Sequence, residues 1–336
     1  MMKKRVIYAA IFIAPFIFIF FTLFIGRYPI PFYDMGSVLM APFLKTPIEE
    51  LEPYYTLVWD IRMPRAIAAG LVGASLSISG AAFQGLFRNP LVNSGILGVS
   101  PGAGFGAALA IVLFGQFSSY TYILAFAFGG LAVLLSYIIG RVYNTTPTIM
   151  LVLGGVVVSS IFSSLISLIK YIADPYNQLP AITFWLMGSF ASVRYKSIYP
   201  AAIPMIIGIV GLVLLRWRIN ILSMGDREAQ TLGINTNVEK SLLIIFATLS
   251  TAAAVCVSGT IGWVGLIIPH IGRMIVGNDN RILIPISCGL GASFLILMDN
   301  ISRTLTSGEI PIGILTSLIG GPFFIYILKK TKGGSW

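Results

Sequence analysis

The chain has 336 residues, of which 57% are hydrophobic and only 10% are charged. A soluble domain carries about 25% charged residues, so this composition excludes a protein with a fully water-facing surface. At roughly 20 residues per membrane helix, the apolar content indicates about ten spans. The sequence therefore predicts an all-α polytopic membrane protein, a bundle of ten transmembrane helices in a single domain over residues 1–336.

The few chemically reactive residues exclude several kinds of site. A lone histidine, His270, leaves no His-rich zinc or iron site. Cys256 and Cys288 both lie in apolar runs, which is typical of small buried residues and not of a disulfide framework. No glycine is followed by lysine, so the Walker A loop that binds ATP is missing. We expect no catalytic, metal or cofactor site on this chain, and any ATP would be bound by a partner subunit.

Ten apolar segments are the predicted spans, and three longer connections between them, at 27–57, 171–195 and 217–239, leave room for structure outside the membrane. The middle connection contains an apolar piece, 182–190, that is long enough for a short helix and too short to cross a bilayer. The first segment follows a basic start and lacks an Ala-x-Ala cleavage site, which predicts a retained span. The segments are 6–26, 58–83, 95–114, 120–140, 148–170, 196–216, 240–258, 260–277, 282–303 and 309–328.

The distribution of basic residues predicts the orientation, because loops on the cytoplasmic side are enriched in Lys and Arg. With ten crossings, 14 of the 22 basic residues fall on the side that holds both termini. We therefore expect a multi-pass protein of the cytoplasmic membrane with both termini in the cytoplasm. The net charge of +10 then reflects topology, and nucleic acid is not an expected partner.

Small residues recur every four positions in several spans, as at Gly102 and Gly106, and such ridges allow close helix packing in lipid. The serines Ser159, Ser163 and Ser167 share one helix face in the same way. Their hydroxyls could line a hydrated pathway, or they could bond back to carbonyls one turn earlier. Both interpretations remain open on the sequence alone.

No predicted span carries a carboxylate at its centre. Asp299 and Glu309 lie toward the outer ends of the last two spans, and Arg303, one turn after Asp299, is placed to pair with it. Ion-coupled transporters normally place a carboxylate near the bilayer midplane. An ion-coupled secondary transporter or a channel is therefore the alternative and less favoured function, and the energy for transport is expected to come from another chain.

Two polar clusters remain near the ends of spans. Arg62, Arg65 and Arg303 fall on the outer side, where guanidiniums could meet the carboxylates of a partner, although interfacial snorkelling also explains them. On the inner side, Asp226 precedes a short polar stretch that ends at Gly233. Acids at its start and glycine at its end predict a short water-facing helix, which is either a docking element or part of a solvated linker.

Six motifs occur in order along nearly the whole chain, at 62–65, 79–91, 97–100, 225–233, 262–270 and 309–323. Examples are Arg62-Met-Pro-Arg65, the Arg-Asn-Pro-Leu run that begins at Arg88, and the Ile-Pro-His run that ends at His270. Together they resemble the iron-chelate and cobalamin permease family (FecCD/BtuC-type), the membrane subunits of type II ABC importers. Asn93-Ser94 and Trp263 depart from the usual residues of that family.

The resemblance implies a homodimer in the lipid bilayer, with a translocation path at the dimer interface formed largely by the fifth and tenth spans. Two ATP-binding subunits are implied on the cytoplasmic side and an extracellular substrate-binding protein on the other side. The expected cargo is a metal chelate, with an iron-siderophore first and cobalamin, haem or an oxyanion as further possibilities.

The resemblance also assigns roles to individual residues. Docking of the binding protein falls to Arg62, Arg65 and Arg303. The coupling loop 217–239 would contact the ATPase through Gly225, Asp226, Glu228, Ala229, Leu232 and Gly233. The candidate residues for the pathway and its cytoplasmic gate are Asn144, Thr145, Thr146, Thr148, Ser159, Ser163 and Ser167.

Overall fold

The computed structural model describes residues 2–44, 52–116, 118–141 and 146–330, and in these ranges the chain forms helices and connecting turns without a strand. A π-helical segment, Thr56–Arg62, joins α3 to α4, so that 52–87 is continuously helical. The helices are α1 (Met2–Phe24), α2 (Phe32–Leu44), α3 (Glu52–Tyr55), α4 (Met63–Phe87), α5 (Val99–Phe114), α6 (Tyr120–Gly140), α7 (Thr148–Ile172), α8 (Gln178–Met187), α9 (Tyr195–Leu222), α10 (Asp226–Thr231), α11 (Thr236–Ser258), α12 (Val264–Val276), α13 (Asn280–Thr304) and α14 (Ile312–Lys330).

Seven helices in the described part of the chain are long and apolar enough to cross a membrane. Six of them are α1, α6, α7, α9, α11 and α13, and the seventh is the continuous helix Glu52–Phe87, which includes α4. Three further apolar helices, α5, α12 and α14, are shorter and take the places of the third, eighth and tenth predicted spans. The structure thus confirms an all-helical polytopic membrane protein, whereas the count of ten crossings stays a prediction.

Two helices begin several residues after the predicted starts of their spans, because the backbone turns before each of them. Helix α5 begins at Val99 and not at 95, since Gly98 has a φ of +88°. Helix α12 begins at Val264 and not at 260, since both Gly259 and Trp263 have positive φ. A left-handed backbone conformation interrupts a right-handed helix, and hydropathy alone cannot reveal such a break.

The connection predicted at 217–239 is shorter than expected. Helix α9 continues to Leu222, and α11 begins at Thr236 after Asn235, whose side chain accepts a hydrogen bond from the backbone N–H of Val238. An asparagine in this N-cap position satisfies a donor that the first turn would otherwise leave unpaired. Only 223–235 therefore lies between the two long helices, and α10 occupies the centre of that segment.

The other two long connections also contain structure. The first, 27–57, holds α2 and α3 in its described part. The second holds α8, which packs against α5 and α14. A short helix was expected at 182–190, and the structure places it at Gln178–Met187, between the crossing helices α7 and α9.

Helix α4 forms the centre of the bundle. Nearly all its residues are buried, and it packs against α9, α11, α12 and α13. Lipid offers no hydrophobic drive for helices to associate, so a central helix must gain its stability from close van der Waals packing. Small residues in α4 permit that packing.

The tightest contacts of α4 occur at two glycines. A Cβ at Gly80 would lie 1.9 Å from the carbonyl oxygen of Gly265 in α12, and one at Gly73 would lie 2.1 Å from the carbonyl oxygen of Gly291 in α13. Neither backbone leaves space for a methyl group. A row of small residues at Ala66, Gly70 and Ala74 lies on a neighbouring face of α4, which is enclosed on all sides.

Candidate functional site

Helix α10 is a short helix at one end of the bundle, which we call the α10 end. It follows Gly225, whose φ of +135° suits glycine, and its last turn closes at Gly233 with a φ of +78°. Asp226 and Glu228 lie in its first turn, where negative charge is favourable. Ala229 is fully buried against the bundle, whereas the opposite face is exposed and carries Arg227, Glu228, Gln230, Thr231 and Leu232.

This arrangement leaves a firmly seated helix with a free polar surface. The buried methyl group of Ala229 fixes its orientation, and the backbone N–H of Ile234 donates to the carbonyl of Ala229 at 3.0 Å, which closes the turn. Leu232 is 60% exposed, an apolar side chain at the edge of a charged surface. A mixed surface of this kind is suited to docking a protein partner.

A buried lysine connects α10 with the start of α7. Lys240, in the first turn of α11, is 2% exposed. Its Nζ donates to Oδ2 of Asp226 at 2.6 Å and to the backbone carbonyl of Thr146 at 3.1 Å. Thr146 is buried as well, and its hydroxyl donates to Oδ1 of Asn237 at 3.3 Å. Lys240 is therefore a shared partner of two residues that were predicted for separate roles, Asp226 for coupling and Thr146 for the gate.

A charged pair lies where the connection between α12 and α13 meets the first turn of α13. Asp279 caps α13 by accepting from the backbone N–H of Arg281, and the Arg281 guanidinium donates to both Asp279 oxygens at 2.6–3.0 Å. This side-chain hydrogen bonding lowers the pKa of the Asp279 carboxyl. The same guanidinium lies 5.3 Å from the centre of the Trp217 ring, so it ties the start of α13 to α9.

At the opposite end of the bundle, Arg65 lies in a buried ion network. Its Nη2 is 2.8 Å from Oδ1 of Asp299, and its Nη1 is 2.9 Å from Oε1 of Glu309. The expected pair between Asp299 and Arg303 is present at a longer distance of 3.6 Å. Asp299, 1% exposed, is thus shared by two guanidiniums.

The other two arginines predicted for docking are also buried and bonded within the chain. Arg62 is 2% exposed, and its guanidinium donates to the backbone carbonyls of Leu23 at 2.5 Å and Tyr28 at 2.6 Å. Arg303 donates to Oδ1 of Asn300. All three guanidiniums therefore hold α1, α4 and α13 together in this structure, and their role in docking stays a prediction.

An exposed cation at this end, next to the network, is Arg27. Its Nε donates to the backbone carbonyl of Arg303 at 3.0 Å, and its Nη2 donates to that of Thr306 at 3.1 Å. Arg27 is not among the residues that the sequence predicted for docking. The structure distinguishes Arg27 from Arg62, Arg65 and Arg303, because those three arginines are buried and bonded within the chain while Arg27 is exposed.

The predicted pathway serines on α7 differ in exposure. Ser163 and Ser167 are exposed, whereas Ser159 is half-buried beside Gly98. The hydroxyl of Ser167 donates to the carbonyl of Ser163 at 3.0 Å, one of the two alternatives left open above. The exposed face of α7 also includes Ser160 and Ser164, which follow the predicted row by one residue. The pathway role of these residues stays a prediction.

The predicted gate residues lie only partly within the described ranges. Asn144 and Thr145 fall outside them, Thr146 is buried against α11, and Thr148 is the half-buried first residue of α7. Sequence reasoning missed Lys240, the residue that fixes Thr146. A lysine at the start of an apolar helix has no sequence signal that distinguishes a buried pair from an exposed charge.

Comparison with known proteins provides the family. The model of the FecCD transport family matches residues 14–330. The chain belongs to this family. A family relative, the molybdate import system permease protein MolB of Haemophilus influenzae, is 41% identical over 93% of this chain and 92% of that protein. A probable iron chelatin transport system permease protein of Helicobacter pylori is 43% identical over 85% of this chain and 86% of that protein.

The fold of this family member also matches a solved structure. An inward-facing metal-chelate type ABC transporter superimposes with a TM-score of 0.86 at 36% identity and covers 97% of this chain and 99% of that chain. The similarity therefore extends over nearly the whole chain. Among the described residues, no cluster of three or more His, Cys, Asp or Glu could hold a metal ion.

Proposed function

We propose that this chain is the permease subunit of a binding-protein-dependent ABC importer that moves a metal chelate across the cell membrane. The observation that carries the proposal is α10, a short helix seated by the buried Ala229 and exposed on its other face. Membership of the FecCD transport family supports the same function. ATP would be bound and hydrolysed by a separate subunit.

The proposed mechanism is alternating access without covalent chemistry on this chain. Two copies of the chain, each with ten spans and both termini in the cytoplasm, form a path between them that is lined largely by α7 and α14. Two ATP-binding subunits press on the α10 helices when they close, and a substrate-binding protein delivers cargo from outside. The exposed serines of α7 and the exposed face of α14 support this placement, because such faces need either lipid or a second copy.

For the cargo we propose an iron-siderophore. Relatives of similar identity are named for iron chelatin and for molybdate, so the fold accommodates chemically different complexes. Specificity would reside mainly in the binding protein, which selects the cargo before it reaches the permease.

Uptake measurements test this function directly. The full complex is placed in vesicles, and accumulation of radiolabelled ferric siderophore and of radiolabelled molybdate is measured with ATP, with and without the ATP-binding subunit. We expect uptake only when that subunit is present, because the sequence lacks the Walker A motif that binds ATP. Uptake that persists without the ATP-binding subunit would rule out the proposal and favour a gradient-driven carrier.

The structure offers little support for the ion-coupled alternative. Among the described residues, Asp299 is the one buried carboxylate, and it is bonded to Arg65 and close to Arg303. A carboxylate that carries a coupling proton or sodium ion must exchange its cation during transport. Two guanidiniums of the chain already occupy the oxygens of Asp299, so this carboxylate joins helices within the fold and is not placed to exchange a cation.

For docking of the binding protein we propose the outer surface around Arg27. Reversal of its charge, Arg27→Glu, is expected to weaken binding of the binding protein on the order of tenfold, because a surface charge steers an acidic partner. The dissociation constant is measured on the purified complex at moderate ionic strength. The matched control is Lys329→Glu, an exposed cation near the end of α14 on the side of the α10 end. Equal affinity of both variants and the wild type would exclude Arg27 from the interface.

A further inference from the structure

The start of α7 is held by polar contacts that lead to α10 through one side chain. We propose that Lys240 is the positioning residue that transmits a displacement of α10 to the entry of α7. The inference rests on the proposed function, since it assumes that a partner moves α10. It identifies the physical link by which that movement reaches the helix proposed to line the path.

The energetic argument begins with the burial of Lys240. A buried ammonium group is costly unless it is paired and hydrogen-bonded. Asp226, at 2.6 Å, supplies the opposite charge, and the carbonyl of Thr146, at 3.1 Å, supplies a second acceptor. If α10 alone moved away, it would leave the ammonium group without its counter-charge. Movement of Lys240 together with α10 avoids that penalty and displaces the carbonyl of Thr146.

Thr146 is well placed to pass this displacement on. It lies directly before Pro147, the residue that caps α7, and the backbone N–H groups of Met150 and Leu151 donate to the carbonyl of Pro147. Proline has a fixed φ and no N–H, so it transmits the position of Thr146 to the first helical turn with little freedom. A shift of Thr146 therefore reorients the first turn of α7.

A neighbouring ion pair provides a matched control. Arg218 and Glu239 approach to 3.4 Å and join α9 to α11 next to Lys240, and this ion pair includes neither α10 nor Thr146. Arg218 is 49% exposed, so its replacement by glutamine removes a cation near the same helix with little effect on folding. Loss of the Arg218–Glu239 pair is expected to leave the transmission of movement from α10 to α7 unchanged.

The experiment measures the amount of cargo moved per ATP hydrolysed, in vesicles that hold the full complex and the radiolabelled probe accepted by the wild type. We expect this ratio to fall about three- to thirtyfold in Lys240→Met, since substitutions along a coupled network change coupling by such factors. Asp226→Asn is expected to lower the ratio as well, and the half-exposed position of Asp226 favours folding of this variant. Lys240→Arg, which keeps the charge and the donors, is expected to restore most of the ratio, and Arg218→Gln to match the wild type.

The outcomes separate this inference from the proposed function. If the wild-type complex shows no ATP-dependent uptake, the proposed function fails. If the wild type transports and both Lys240→Met and Asp226→Asn move as much cargo per ATP as the wild type, Lys240 does not transmit the displacement of α10 to α7. A ratio that stays unchanged in Asp226→Asn while less ATP-binding subunit co-purifies would make Asp226 a docking contact and would also overturn the inference.

Discussion

The variant Asp299→Ala is expected to lower the free energy of unfolding by about 3–5 kcal/mol, because removal of one partner of a buried ion pair leaves uncompensated charge behind. Arg65 would lose its 2.8 Å contact, and Arg303 would lose its opposite charge at 3.6 Å. Glu309 could compensate only in part, since it contacts a different nitrogen of Arg65. The loss is measured by denaturation of the purified protein in detergent.

The pair Arg218–Glu239 again provides the comparison. Substitution of Arg218 by alanine is expected to cost about 0–1 kcal/mol, since the Arg218 guanidinium is 49% exposed and water screens it. An Asp299→Ala variant as stable as Arg218→Ala would show that the network at the Arg65 end contributes little to stability. In that case Arg62, Arg65 and Arg303 would be available to dock the substrate-binding protein, as the sequence predicted.

The second large effect is expected at the contact between α4 and α12. Gly80→Ala places a methyl carbon 1.9 Å from the carbonyl oxygen of Gly265, a distance that a non-bonded carbon and oxygen cannot tolerate. The backbones of two helices must separate, so we expect a loss of about 3 kcal/mol, at the upper end of the cost of overpacking. Thermal unfolding in detergent and the yield of folded protein both report this change.

A glycine without close neighbours provides the control for this substitution. A Cβ at Gly130 in α6 would meet no atom within 4 Å. Gly130→Ala is therefore expected to be neutral or slightly stabilising, because alanine favours the helix. If Gly80→Ala behaves like Gly130→Ala, the helices are not in the close contact that the structure shows.

Much of the fold follows from local sequence properties. Apolar runs of sufficient length predict the crossing helices, since the bilayer leaves backbone groups no partners except within a helix. The short helix α10 was predicted from Asp226, Glu228 and Gly233, because charge and glycine at helix ends act through nearby backbone. The six ordered motifs indicated the family that the comparison shows.

The starts of α5 and α12 were predicted too early, for a reason that is also physical. Hydropathy at 95–98 and 260–263 is the same whether the backbone is helical or turns, while the positive φ of Gly98 and Trp263 depends on what these segments pack against. The face of α4 that makes the closest contacts through small residues also depends on the neighbouring helices. A helix buried on every side presents several ridges, and only its neighbours determine which ridge makes the closest contact.

The sequence by itself determined that this protein resides in a membrane, that it is helical, and which family it resembles, because composition and motif order are properties of the chain alone. The tertiary structure decided what its few charges do. Arg65 and Asp299 are 234 residues apart, and Lys240 reaches Thr146 from 94 residues away. Buried charges must find partners in three dimensions. Those partners join the three arginines predicted for docking to other residues of the chain, and they give Lys240 a proposed role in coupling.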